Sequence, residues 1–126
     1  MRPPHILLVD DEADIREVAA LSLQTLGGWR VTTASGGSEA IALARAERPD
    51  VILLDVMMPE LDGPTTLARL RDNAQTHKIP VIFLTAKAQH TDQCGLARLD
   101  VSGVLTKPFD PLTLSDQITA ILARER

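Results

Sequence analysis

Five short apolar runs recur along the chain: His5–Val9, Trp29–Thr33, Val51–Leu54, Pro80–Leu84 and Gly103–Thr106. Each has strand length, and each is nearly continuous in apolar residues instead of alternating apolar with polar. Strands covered on both faces read this way, and parallel sheets are covered on both faces. The stretches between the runs have helical spacing. From Ala13 to Leu26, the residues Ile15, Val18, Ala19, Leu23 and Leu26 recur at steps of three and four, and Gly27-Gly28 supplies a C-terminal stop. A second, Ala-rich helix is predicted over Ser38–Glu47, closed by the approach of Pro49. A third is predicted over Pro64–Asn73 and a fourth over about His90–Leu99. The last opens at Asp110-Pro111, an N-cap followed by the residue whose fixed φ suits the first helical position. Its Leu114, Ile118, Ile121 and Leu122 form one apolar stripe, and the pattern carries it almost to Arg126.

Five strand–helix pairs in alternation predict an α/β domain on a five-stranded parallel sheet with right-handed crossovers. The pattern alone leaves the strand order open. In open parallel sheets, sites form beyond the carboxyl ends of the strands, where the strand order reverses. The residues that follow each strand are therefore the first place to look for chemistry.

Composition narrows the functions this chemistry could serve. With 126 residues the chain suffices for one core, so a single domain over residues 1–126 is expected. Lys and Arg total 13 against 17 for Asp and Glu, and this net charge of −4, with no basic run, argues against direct contact with nucleic acid or an anionic membrane. Tyr is absent, with two Phe and one Trp, which leaves no aromatic platform for stacking bases. Cys94 is alone, so no internal disulfide can form, and a cytoplasmic location is expected. No apolar run approaches the length of a signal-peptide core or a membrane span.

After the first strand comes Asp10-Asp11-Glu12, and Asp55 closes the third. Carboxylates crowded at neighbouring strand ends repel one another unless a cation is present, and oxygen ligands of this kind suit Mg²⁺ with retained waters. Helix capping accounts for one of Asp10 and Asp11 but not for the pair together with Asp55. A carboxylate beside a metal can attack phosphorus and form an acyl phosphate. Thr85 follows the fourth strand and Lys107 the fifth, supplying a hydroxyl and an ammonium, which are the hydrogen bond and countercharge a phosphoryl group needs. Taken singly, each of these residues also reads as an ordinary turn or solvated rim residue. His5, His77 and His90 share no metal-ligand spacing and are expected to face solvent, Met58 to pack beneath the loop, and Cys94 to be a packed small side chain.

Val9-Asp10-Asp11-Glu12, Asp55 to Gly63, Leu84-Thr85-Ala86-Lys87 and Leu105-Thr106-Lys107-Pro108-Phe109 together resemble the signature segments of two-component response-regulator receiver domains. The resemblance spans the whole chain. It implies the flavodoxin-like, doubly wound strand order 2-1-3-4-5. It also implies that Asp55 is the phosphoacceptor, supplied by a histidine kinase, a histidine phosphotransfer protein or a small phosphodonor. Mg²⁺ would be held directly by Asp11, by Asp10 largely through water, by Asp55 and by the Met57 backbone carbonyl. Thr85 and Lys107 would hold the phosphoryl group, and the Lys107–Pro108 bond would be cis. The partners implied are the phosphodonor and a downstream protein or fused output domain. The domain would be a phosphoacceptor, not an enzyme, with self-phosphorylation from small donors and slow self-dephosphorylation.

Two positions depart from the family's pattern. Val104 stands where a Tyr or Phe is usual, three residues before the lysine, so no ring can swing there. Asp100 replaces a common Gly in the turn before the last strand. The competing readings are a pseudo-receiver that binds partners without phosphorylation, and a phosphatase of the haloacid-dehalogenase type. The first is expected to lack site residues that this chain keeps. The second needs an Asp two residues after the nucleophile, where this chain has Met57.

Overall fold

The computed structural model describes residues 3–86 and 101–124. Its strands are β1 (His5–Val9), β2 (Arg30–Ala34), β3 (Val51–Asp55), β4 (Val81–Ala86) and β5 (Gly103–Lys107), all parallel, in the order β2-β1-β3-β4-β5. The helices of the described residues are α1 (Ala13–Gly27), α2 (Gly37–Glu47), α3 (Gly63–Arg71) and α4 (Leu114–Ala123). The helix expected over His90–Leu99 lies outside the described residues, as do His90, Cys94 and Asp100.

Successive side chains of a strand point to opposite faces, so continuous apolar strands feed two cores. Leu7 and Val9, Ile52 and Leu54, and Val81 and Phe83 join Ala40, Ala44, Leu67 and Leu70 of α2 and α3. On the other face Ile6 and Leu8, Val51 and Leu53, and Ile82 and Leu84 meet Ala19 and Leu23 of α1 and Leu114, Ile118 and Ile121 of α4. The three central strands thus bury both faces. The edge strands β2 and β5 are only partly covered, which departs from the expectation for both.

Several boundaries and faces differ from the sequence pattern. Strand β2 starts at Arg30 because Trp29 turns its ring into the core and donates from Nε1 to Ser115 Oγ at 3.0 Å. Strand β4 continues through Thr85 and Ala86, and β5 takes in Lys107, because their ladder pairs Thr85 with Thr106 and Ala86 with Lys107. On α1, Val18 and Leu26 are exposed; the buried stripe is Ala19, Ser22 and Leu23, with the Ser22 hydroxyl satisfied by the Pro111 carbonyl. Asp110 does cap a turn, accepting from the Leu112 amide at 2.9 Å, but regular α4 starts only at Leu114. Helix α3 likewise stops at Arg71, short of Asn73.

His5 is buried, contrary to the expectation that it faces solvent, because strand pairing sets it beside Arg30 of β2. Its Nε2 lies 2.7 Å from Thr32 Oγ1 and 3.3 Å from Glu47 Oε1, and its Nδ1 lies 3.0 Å from the Arg30 guanidinium. His77 is exposed as expected.

Candidate functional site

The strand order reverses between β1 and β3, and the acidic residues meet there. Val9 pairs with Leu54, so Asp10, one step past β1, and Asp55, the last residue of β3, come side by side. Asp10 is fully buried and Asp55 is 3% exposed, while Asp11 stands in solvent. Carboxylate oxygens of Asp10, Asp11 and Asp55 all lie within 4.8 Å of one another.

Lys107 arrives from β5, two strands away from β3, a separation on the order of 10 Å. A long flexible stem with a compact charge spans that gap. Its Nζ lies 2.9 Å from Asp10 Oδ2, 3.3 Å from Asp55 Oδ2 and 3.6 Å from Glu12 Oε1. Burial works against the ammonium, but the hydrogen bond to Asp10 and the charges of Asp55 and Asp10 outweigh it and hold Lys107 above the ordinary lysine pKa. For Asp55 the balance goes the other way. Desolvation, then repulsion from Asp10, raise its pKa from 3.8 to about 6, against the opposing pull of Lys107 and the Met57 amide.

The loop after β3 folds back over Asp55. The Met57 amide donates to Asp55 Oδ1 at 3.3 Å, and the Gly63 amide to the Val56 carbonyl at 2.8 Å. Glu60 carries a positive φ of 68°, and Asp62 caps α3 by accepting from the Thr65 amide at 2.8 Å. A Cβ on Gly63 would sit 2.8 Å from both the Asp55 carbonyl oxygen and Val56 Cα, so only glycine lets the loop close this tightly. Met58 is buried under the loop as expected, whereas Met57 is 61% exposed.

Thr85 is fully buried, one residue past the Leu84 that pairs with Asp55. Its hydroxyl donates to the Ala86 carbonyl at 3.4 Å. The Lys107–Pro108 bond is cis.

The donor set fits a hard divalent cation. Among the described residues, the carboxylates of Asp10, Glu12 and Asp55 share the single ammonium of Lys107, and Asp11 stands beside Asp10 and Asp55, so the acidic charge of the cluster exceeds the cation paired with it. Among the described residues, the buried Asp10 Oδ2 is met by the Lys107 ammonium and by no other donor. Oxygen-only ligands at such spacing suit Mg²⁺ better than softer metals.

Two contributions were not read from the sequence. Arg16 Nη1 donates to the Asp10 carbonyl at 2.7 Å, and Glu12 pairs with Lys107. The available signal for Arg16 was a cation in the first turn of a helix, where the macrodipole disfavours it.

Comparison with known proteins bears on the family and the fold. A family model described as the response regulator receiver domain matches residues 6–119. Protein PilH of Pseudomonas aeruginosa is 40% identical over 120 residues, covering 94% of this chain and 98% of that protein. The alkaline phosphatase synthesis transcriptional regulatory protein PhoP of Bacillus subtilis is 40% identical over 119 residues, 94% of this chain but 48% of that protein. The chain spans about half the length of several curated relatives it matches. Among solved structures, chemotaxis response regulator CheY4 of Vibrio cholerae superposes with a TM-score of 0.85 at 33% identity, covering 94% of this chain and 98% of that one.

Proposed function

Because the chain belongs to the response regulator receiver domain family, we propose that Asp55 is its phosphoacceptor in two-component signalling. The observation that carries this reading is a nearly buried carboxylate at the end of a central strand, held between a lysine and two further carboxylates. An Asp55 oxygen attacks phosphorus, and the bond from phosphorus to the imidazole nitrogen of a phosphohistidine breaks, its electron pair returning to the imidazole. Lys107, already 3.3 Å from Asp55 Oδ2, turns to the incoming phosphoryl oxygens, and the Thr85 hydroxyl donates to them from the neighbouring strand end. Asp11, Asp10, Asp55 and the Met57 carbonyl would hold Mg²⁺, which when bound neutralises charge on both the carboxylates and the phosphoryl group.

The donor is a histidine kinase or histidine phosphotransfer protein, and acetyl phosphate serves as a small substitute. The output is read by a downstream protein or by a fused segment, as the greater length of several relatives suggests. Among the described residues no helix is long and apolar enough to cross a membrane, and a cytoplasmic site of action accords with the kinase partner. The phosphorylation-independent scaffold has no observation in its favour. Incubation with acetyl phosphate should add one phosphoryl group by intact mass in Mg²⁺ and none in EDTA. Uptake that is equal in EDTA would contradict the metal-assisted reading.

A further inference from the structure

We infer that Arg16 is a positioning residue for the metal site, setting the directions of both Asp10 and Asp11 by gripping the peptide that joins them. The inference rests on the metal reading above and adds to it. Arg16 lies at the end of the first turn of α1, its amide bonded to the Glu12 carbonyl at 3.1 Å. Helical side chains lean towards the N-terminus, so its guanidinium reaches back over the loop, where Nη1 meets the Asp10 carbonyl at 2.7 Å. That carbonyl belongs to the planar Asp10–Asp11 peptide, and fixing the plane fixes ψ of Asp10 and φ of Asp11 together. The other groups of Asp10 are fastened too: its amide to the Ala34 carbonyl at 3.1 Å, Oδ1 to the Glu12 amide at 2.9 Å and Oδ2 to Lys107. Asp11, in solvent, has no such frame among the described residues, so the peptide plane is what aims it.

Charge alone would make Arg16 harmful here, because a cation beside the acidic cluster repels Mg²⁺. Positioning and electrostatics therefore predict opposite signs. In Arg16→Met, which removes donor and charge while keeping an unbranched stem, Mg²⁺ binding measured by calorimetry should weaken about tenfold, in line with other groups that orient metal ligands. Arg16→Lys, which keeps the charge and a donating ammonium on a shorter stem, should recover part of the loss, and amide shifts of Asp11 and Glu12 in EDTA should move in Arg16→Met and return towards wild type in the lysine variant. Should Arg16→Met fold poorly, the lysine variant against wild type still reads the loss of the guanidinium at the Asp10 carbonyl. Mg²⁺ binding by Arg16→Met as tight as wild type, or tighter, would overturn the inference. Failure of the wild-type protein to bind Mg²⁺ would instead overturn the metal reading beneath it.

Discussion

At the scale of single residues, the site is built against the repulsion of its own charges. Asp55 titrates near 6 because burial and Asp10 disfavour its ionised form. The folded state thus holds the Asp55 proton more tightly than the unfolded chain, whose carboxyl titrates near 3.8. Stability from this group is complete below the lower value and is lost as pH rises through about 6, up to about 3 kcal/mol. In EDTA, Asp55→Asn should therefore be more stable than wild type at pH 7.5, by about 1–3 kcal/mol, and should show a flatter stability profile between about pH 4 and 6. Urea denaturation across that range checks both, and a less stable Asp55→Asn at pH 7.5 would contradict the balance of charges described. That Asp55, Asp10 and Lys107 would meet was legible in the sequence because each follows or closes an apolar run. The reach of Arg16 was not, since nothing in a one-dimensional pattern shows a helical side chain folding back to a carbonyl six residues earlier.

At the scale of elements, the loop from Asp55 to α3 closes tightly beside the site. Gly63→Ala would press a methyl against two backbone atoms that cannot rotate away. The expected cost is about 1–3 kcal/mol of stability, with weaker Mg²⁺ binding as the Met57 carbonyl is displaced. Denaturation and calorimetry on the same variant read the two effects, and a Gly63→Ala protein matching wild type in both would show that the loop is not held as described. The switch strands carry a second prediction. Val104 pairs with Phe83 across β4 and β5 and packs against the α2–α3 core, where a short β-branched side chain has little reach. Beryllofluoride, a mimic of the acyl phosphate, should shift the Thr85 amide more than the Val104 amide, because it acts through contacts that differ between the two states. A larger shift at Val104 with Thr85 still would contradict that route. Element boundaries were where periodicity failed: β4 and β5 run on through Thr85 and Lys107, polar residues that the apolar runs exclude but that strand pairing extends to. The stripe of α1 failed for a related reason, since a small buried Ser22 paired to Pro111 takes the place that the pattern assigned to Val18 and Leu26.

For the whole molecule, the alternation of strands and helices was enough to give the class of fold, but strand order was implied only by resemblance. The parallel order β2-β1-β3-β4-β5 brings residues 10, 55 and 107 together from positions far apart in the chain, and the central claim is that this convergence makes Asp55 the phosphoacceptor. An acyl phosphate, unlike a phosphoester or a free carboxylate, is reduced by borohydride to an alcohol, which converts the modified aspartate to homoserine. The most direct measurement is to treat the protein with acetyl phosphate and Mg²⁺, reduce it with borohydride, and sequence its peptides by mass spectrometry. The account predicts homoserine at position 55 alone. Homoserine at position 10 or 11 with Asp55 intact would contradict it.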